Sequence, residues 1–194
     1  MNISFGQKIP IAKCTVKDTY TNQKTDGYIS ELDCKDTSDI LRISSLPDTW
    51  EFQETISLNM KDKYSAHKNG RDNQTKFYIL ENENGEILGI SCIDDRPKSL
   101  EVRFIESRDD HRYKFVGQNL LATLAKQVLD SRQQKLIIRS SISSAYDFYE
   151  KICGFKPAKF CDLEMIRQDI PSFIRRTNEK IEKETESLTI NEKA

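Results

Sequence analysis

The sequence predicts a mixed α/β protein whose central sheet is mostly antiparallel and is flanked by helices. Three segments with strand character follow one another closely in the middle of the chain, which is typical of an antiparallel meander. A long amphipathic helix, a short apolar strand, a second helix and a last strand come next. A strand–helix–strand step implies parallel neighbours, so the sheet is predicted to be mixed.

The N-terminal third predicts a hairpin followed by two helices. Residues 9–16 and 27–34 alternate partially between apolar and polar side chains, and turn-forming residues lie between them. A capped helix is expected over 36–46, ending before Pro47. A second helix is expected over 48–65, where apolar residues recur at four-residue spacing.

The centre of the chain gives the clearest pattern. Strands are predicted over 77–80, 86–93 and 99–107, and the ENENG segment indicates a tight turn between the first two. A helix is predicted to begin near Val116. Its apolar residues fall on one face: Val116, Leu120, Leu121, Leu124, Val128 and Leu129.

The end of this region completes the predicted sheet. A short apolar strand is expected over 135–140, and a helix over 143–153 ends at Gly154. A final strand is expected over 160–166. These segments supply the strand–helix–strand step that makes the sheet mixed.

The chain divides into three predicted parts. Residues 1–35 form an N-terminal hairpin extension, 36–166 form the main domain, and 167–194 form a charged helix or a disordered tail. In the tail, 12 of 28 residues are charged, so a solvated appendage is expected. The hairpin either extends the sheet or lends an edge strand to a second subunit, which would make a homodimer.

Composition excludes several functional classes. Thirty basic and 31 acidic residues give a formal charge of −1, so we do not expect nucleic acid as a main partner. No run of about 18 apolar residues exists, and we expect no membrane span and no membrane partner. The N-terminus does not have the pattern of a secretory signal.

The cysteine and histidine patterns predict no metal site. The five cysteines are widely spaced and form no CxxC motif, which argues against zinc and against a disulfide framework. His67 and His111 are the only histidines, and no GxSxG motif is present. We therefore expect no metal and a reducing, cytoplasmic location.

The segment RYKFVGQNLL, residues 112–121, predicts an anion site. It runs from a polar loop into the long helix, where unpaired N–H groups and the positive end of the helix dipole attract anions. Arg112 and Lys114 add positive charge, and Gly117 allows a ligand to approach closely. A basic turn with a packing glycine is the alternative interpretation.

A second segment, FYEKICGF at 148–155, resembles the FYEKLGF signature of the GNAT N-acetyltransferase superfamily, with one extra residue before the glycine. Upstream, RYKFVGQNLL resembles the family's acetyl-CoA loop, Arg/Gln-x-x-Gly-x-Gly/Ala. The two motifs stand in the family's order, and the resemblance covers about 36–166. It implies a GNAT-like α/β fold whose sheet splays open at the acetyl-CoA site.

The resemblance also implies a cofactor site. Backbone N–H groups of 112–118 would hold the pyrophosphate of acetyl-CoA. The residues expected at the cofactor are Ile105, Ser107, Arg112, Tyr113, Lys114, Phe115, Val116, Gly117, Gln118, Ser143 and Tyr149. Two positions depart from the family pattern. Phe115 stands where the family has a glycine, and Ile142 stands where many members have an asparagine that contacts the cofactor. Ser141 or Ser143 would have to take over the role of that asparagine.

The resemblance implies that Tyr149 is the general acid, which protonates the departing CoA thiolate. Tyr146, one turn earlier, is a competitor. The candidate bases lie on or near the central strands. They are Glu101 and Glu106, with Asp94 and Asp95 at the preceding turn. Solvated strand or turn positions are the alternative interpretation of these carboxylates.

The predicted activity is acetyl transfer from acetyl-CoA to a primary amine by direct attack, without an acyl-enzyme. The acceptor is an amine-bearing small molecule or protein, and the helices 36–46 and 48–65 and the loops 94–99 and 155–160 would build its pocket. The alternative is a catalytically silent binding or regulatory module on the same fold, which Phe115 and Ile142 favour.

Overall fold

The computed structural model describes residues 9–32, 74–108, 110–139 and 143–186, together with isolated residues between 39 and 69. The helices expected over 36–46 and 48–65 lie largely outside the described residues. The described strands are β1 (Ile9–Asp18), β2 (Lys24–Glu31), β3 (Thr75–Asn82), β4 (Ile87–Asp95), β5 (Ser99–Ser107), β6 (Tyr113–Lys114), β7 (Lys135–Ile138), β8 (Lys156–Pro157) and β9 (Leu163–Ile166). The described α-helices are α1 (Val116–Asp130), α2 (Ser143–Asp147) and α3 (Ile170–Glu186). Helix α2 continues directly into a π-helical turn (Phe148–Cys153), and a short 3₁₀ turn (Lys159–Cys161) precedes β9.

The described strands form one open sheet in the order β6–β1–β2–β3–β4–β5–β7–β9–β8. Strands β5 and β7 pair in parallel, and the other pairs among the described strands are antiparallel. The prediction of a mixed, mostly antiparallel sheet flanked by helices is therefore confirmed.

The β3–β4 turn shows why its sequence predicts a hairpin. The Asn82 side-chain oxygen accepts hydrogen bonds from the backbone N–H groups of Asn84 and Glu86, each at 3.0 Å. Gly85 has a φ of 75°, a left-handed conformation that glycine adopts without steric cost. The turn thus fixes the register of two central strands.

Two apolar clusters cover the two faces of the sheet. The larger one lies between the sheet and helices α1 and α3, and includes Leu120, Leu124, Phe155 and Phe173. The smaller one, on the other face, comprises Leu32, Trp50, Phe77, Ile79, Ile87, Ile90 and Cys92. Burial on both faces explains the nearly continuous apolar character of β3 and β4.

Gly89 on β4 sets the position of α1. A Cβ atom at this glycine would collide with Val116 Cγ1 and would lie 3.0 Å from Leu120 Cδ1. The missing side chain therefore lets the first turn of α1 pack directly on the strand. This contact holds the start of α1 beside the end of β5.

The hairpin and the tail both pack on the central part of the chain. Strand β2 pairs with β3, so the hairpin extends the same sheet. Helix α3 packs on α1, and Ile170, Phe173 and Ile181 are buried. The division at residues 35 and 166 and the homodimer stay predictions.

Candidate functional site

The sheet opens between β5 and β7. Their parallel pairing ends at Val102 and Ile138, and the Arg139 N–H donates the last bond of this pair, to Val102 O at 2.9 Å. Strand β5 continues to Ser107. A β-bulge shifts the β4–β5 register between Cys92 and Ile93, which re-aims the outer half of β5.

A pocket of about 470 Å³ lies at this opening. Three elements that the sequence singles out line it: the end of β5, the loop that enters α1, and the π-helical turn. Its lining residues are Ile105, Glu106, Ser107, Tyr113, Lys114, Phe115, Val116, Gly117, Gln118, Phe148, Tyr149, Lys180 and Glu184. The structure thus brings most of the predicted site residues into one cavity, which we call the cofactor pocket after the sequence-based prediction.

The N-terminus of α1 opens into this pocket. No side chain caps the helix, and no acidic residue stands in its first turn. Asn119 N–H donates the first intrahelical bond, to Phe115 O at 2.9 Å, so the N–H groups of 116–118 precede the bonded part of the helix. These donors and the helix dipole favour an anion at this place.

Phe115 keeps a backbone conformation that suits glycine. Its φ is 70° and its ψ is 7°, in the left-handed region that non-glycine residues rarely adopt. The ring is buried and forms part of the pocket wall. Replacement of the family's glycine has therefore kept the turn that leads into α1. Ile142, the other departure, lies outside the described residues.

Gly117 faces the cavity. A Cβ atom there would meet only Phe148 Cζ, at the ordinary contact distance of 3.8 Å. A small side chain fits at this position, whereas a large one would extend into the pocket that Gly117 lines.

Arg112, predicted at the cofactor, points elsewhere. Its guanidinium donates from Nε and Nη2 to Asp18 Oδ2, at 3.0 and 2.9 Å. Burial acts to raise the pKa of Asp18, but the hydrogen bonds from Arg112 and from the backbone of Thr21 and Tyr20 hold this pKa below its ordinary value. Together with β6, which pairs with β1, Arg112 ties the loop to the N-terminal hairpin.

Tyr149 lies in the π-helical turn and is 7% exposed. Its ring contacts Phe148 and Phe155 edge-on, at centroid distances of 5.2 and 6.1 Å. Burial raises its pKa to about 12, so the phenol is protonated at neutral pH. A short aromatic stack thus fixes the orientation of this hydroxyl-bearing side chain at the cofactor pocket.

The π-helical turn accounts for the extra residue in FYEKICGF. One residue inserted into an α-helix widens a single turn, and such turns are frequent at functional sites. Gly154, with a φ of 84°, ends the turn, and its N–H donates to Glu150 O at 3.1 Å. The insertion is absorbed between Tyr149 and Gly154.

The structure separates the carboxylate candidates. Glu106 lines the cofactor pocket. Glu101 does not, because its Oε2 accepts hydrogen bonds from Arg139 Nε and Nη2 at 3.0 and 2.7 Å, near the closed end of the opening. Asp94 and Asp95 form ion pairs at 3.0 Å, with Arg96 and Lys76 respectively, and also lie outside the pocket lining.

Three lining residues are absent from the sequence-based set. Phe148 lies inside the recognised motif, whereas Lys180 and Glu184 come from α3. A signal for this helix exists, because Ile170, Phe173 and Ile181 recur at helical spacing, but the many charged residues outweigh it. Ser143 begins α2, and its side chain is not among those described.

The described residues offer no sign of a metal centre or of a membrane span. No group of three or more His, Cys, Asp or Glu side chains is placed to hold a metal ion in the described part of the chain. None of the described helices has the length and hydropathy that crossing a bilayer requires.

No family model matches the sequence, and no curated protein matches it. Solved structures share its fold. A mutant form of the toxin AtaT, bound to the C-terminus of the antitoxin AtaR and acetyl-CoA, matches with a TM-score of 0.52 and 16% identity, over 77% of this chain and 99% of that one. The AtaT–AtaR complex bound to DNA matches with a TM-score of 0.55 and 18% identity, over 74% and 97%.

Two further matches are acetyltransferases by description. A Desulfovibrio desulfuricans protein assigned to the GNAT family matches with a TM-score of 0.50 and 16% identity, over 72% of this chain and 99% of that one. The spermidine/spermine N-acetyltransferase SpeG from Vibrio cholerae, in mutant forms, gives 0.51 and 15%, over 75% and 98%. The chain therefore has the GNAT fold, as its motifs predict.

Proposed function

We propose that this chain is an acetyl-CoA-dependent N-acetyltransferase that acts by direct attack of a primary amine. The observation that carries the proposal is the cofactor pocket at the opening between β5 and β7, where an uncapped helix N-terminus and the buried Tyr149 line one cavity. Sequence motifs and fold point to the same family, and a solved structure of this fold contains acetyl-CoA.

The residues present fit acetyl-CoA. The N–H groups of 116–118 suit a pyrophosphate, and Lys114 adds a positive charge beside them. Gly117 leaves room for the phosphates. The volume of about 470 Å³ lies within the range of ligand pockets, about 300–1,000 Å³.

Tyr149 is assigned the role of hydrogen-bond donor to the leaving sulfur. Bound acetyl-CoA supplies a thioester whose carbonyl the amine attacks and whose sulfur departs. Burial raises the pKa of Tyr149 to about 12, so its Oη keeps its proton at neutral pH. The hydroxyl can therefore donate a hydrogen bond to the negative charge that develops on the departing sulfur.

Glu106 is assigned the role of proton acceptor from the amine. It is the one member of the predicted pair of bases that reaches the cofactor pocket. In the register of β4 and β5 it stands opposite Ile90, which belongs to the smaller apolar cluster. Since Leu120 and α1 cover the other face, the amine is proposed to approach from the side of that smaller cluster.

The acceptor is proposed to be a small cationic amine. Glu106 lines the pocket and favours a positively charged group at the place where the amine is proposed to react. SpeG, which shares the fold, is a spermidine/spermine N-acetyltransferase, which supports this class. That nucleic acid is not a main partner stays a prediction from the net charge.

The test is release of free CoA thiol from acetyl-CoA in the presence of amines, measured with a thiol reagent. The panel contains spermidine, spermine, a lysine peptide and a peptide with a free N-terminus. We expect amine-dependent release, and we expect Glu106→Gln to lower turnover by at least about tenfold through loss of the base. Glu83→Gln, in an exposed turn, is the matched control.

The outcomes of this assay distinguish an acetyltransferase from a catalytically silent binding module. Amine-dependent release that Glu106→Gln lowers and Glu83→Gln leaves unchanged supports the proposal. Binding of acetyl-CoA without release for any amine would overturn it in favour of a catalytically silent module. The observation favouring that alternative is the Phe115 ring, which forms part of the pocket wall where the family has a glycine without a side chain.

A further inference from the structure

A second cleft adjoins the cofactor pocket. It has a volume of about 370 Å³ and lies between the start of α1, the π-helical turn and α3. Its lining residues are Phe115, Gln118, Lys151, Ile152, Cys153, Arg176, Thr177 and Lys180. Because Phe115, Gln118 and Lys180 also line the cofactor pocket, the two cavities share a wall at the proposed pyrophosphate site.

The charge of this cleft is entirely positive. Lys151, Arg176 and Lys180 line it, and no acidic residue does among those the structure describes. In contrast, Glu106 and Glu184 accompany the lysines of the cofactor pocket. A ligand with negative charge is therefore favoured in the cleft itself.

Arg176 and Lys180 keep their charges uncompensated. Neither forms an ion pair with a carboxylate within the described ranges of the chain. Arg176 instead donates from Nη1 to Ser172 Oγ at 3.1 Å and from Nη2 to Cys153 O at 3.4 Å. Lys151 differs, since its Nζ lies 2.9 Å from Asp147 Oδ2 on the exposed surface.

The two cations influence the pKa of the Cys153 thiol, which lines the cleft. Burial raises its pKa to about 12, while the positive charges of Lys180 and Arg176 act in the opposite direction. Their electric field thus reaches the buried wall of the cleft. The hydroxyl-bearing Thr177 is buried between the two cations along α3 and adds a polar group to the lining.

We propose that this cleft binds the 3′-phosphate of CoA, with Arg176 and Lys180 as its ligands. The inference rests on the proposed function and assigns part of the cofactor site to α3. CoA carries a phosphomonoester on its ribose in addition to the pyrophosphate, and such a group has a charge of about −1.5 to −2 at neutral pH. The planar guanidinium of Arg176 suits phosphate oxygens, and Lys180 supplies a point charge.

Calorimetric titration of the full chain with CoA and with 3′-dephospho-CoA tests this proposal. We expect wild type to bind CoA about tenfold more tightly, the equivalent of one charge-assisted hydrogen bond. Lys180→Gln should reduce the difference in affinity between CoA and 3′-dephospho-CoA, and the double variant Arg176→Gln, Lys180→Gln should abolish it. Because Lys180 also lines the cofactor pocket, the ratio of the two affinities within each variant is the quantity that tests the assignment.

The matched control is the double variant Arg175→Gln, Lys183→Gln. Like the cleft double variant, it removes one arginine and one lysine from α3, but from exposed positions that line neither cavity. It should bind CoA as wild type does. Lys180→Gln breaks none of the hydrogen bonds that hold Arg176, so it keeps the test informative if the double variant folds poorly.

The outcomes distinguish the two claims. Equal affinity of wild type for both ligands, or equal loss of both in Lys180→Gln, would overturn the assignment of the cleft while leaving acetyl-CoA binding intact. A weakening by the control as large as that by the cleft variants would overturn it too, in favour of a general charge effect. Failure of wild type to bind either ligand would contradict the proposed function itself.

Discussion

Single residues at the cofactor pocket differ in how far the sequence predicts their roles. The N–H groups of 116–118 follow from a loop that enters a helix without a capping side chain. The orientation of Arg112 does not follow, because its partner Asp18 is 94 positions away in the sequence. Simple alternation would put Glu101 and Glu106 on opposite faces of β5. The β-bulge opposite Cys92 and Ile93 puts both on the face of Ile90, and the ion pair with Arg139 then holds Glu101 away from the pocket.

Tyr149→Phe tests the residue-scale account. The variant keeps the ring between Phe148 and Phe155 and removes only the hydroxyl, so the fold should be unaffected. We expect turnover to fall by about 10²-fold, the usual cost of removing a hydrogen-bond donor to a developing negative charge, with little change in acetyl-CoA affinity. Steady-state kinetics and calorimetry measure the two effects, and unchanged turnover would exclude the assigned role.

Among the secondary-structure elements, some are predictable from local sequence patterns and others are not. The β3–β4 hairpin is predictable because its turn residues and its apolar runs agree. The tail is expected to be a solvated appendage, yet α3 buries Ile170 and Phe173 and supplies two residues of the cofactor pocket. Its burial depends on α1, a partner that composition alone does not indicate.

Phe173→Ala tests whether α3 is part of the folded core. The side chain is 1% exposed, and its ring lies 6.3 Å from that of Phe155. Truncation of a buried phenylalanine should lower the free energy of unfolding by about 3–5 kcal/mol. Lys183→Ala on the exposed face should change it by less than about 0.5 kcal/mol. Urea unfolding measures both, and equal effects would show that α3 does not contribute as the structure indicates.

At the scale of the whole molecule, the sequence predicts the fold class and the place where the sheet opens. Both rest on a few segments: the meander, the long helix and the two motifs. The position of the acceptor is not predictable in the same way, because the helices expected over 36–46 and 48–65 carry no recognisable chemistry. Residues that line one cavity from distant parts of the sequence, such as Lys180 and Gln118, are found only in the structure.

Buried ionisable groups give the whole molecule a pH dependence. Burial raises the pKa of the Cys14 and Cys153 thiols to about 12, from an ordinary value near 9. Below pH 9 both states keep these protons, whereas between about 9 and 12 only the unfolded state loses them. The free energy of unfolding should therefore fall as pH rises above about 9.

Urea unfolding under reducing conditions from about pH 7 to about pH 10.5 measures this dependence. Cys14→Ala should make the decline shallower, because one of the two buried thiols is then removed. Constant stability across this range would contradict the burial of both thiols.

The central claim is that acetyl-CoA binds at the start of α1, and calorimetric titration of acetyl-CoA tests it most directly. Wild type should bind with micromolar affinity, and Gly117→Trp, whose side chain would fill the pocket beside Phe148, should weaken binding by more than about tenfold. Asp130→Trp, exposed at the other end of α1, should bind as wild type does. Absence of binding by wild type, or equal binding by Gly117→Trp, would contradict the account.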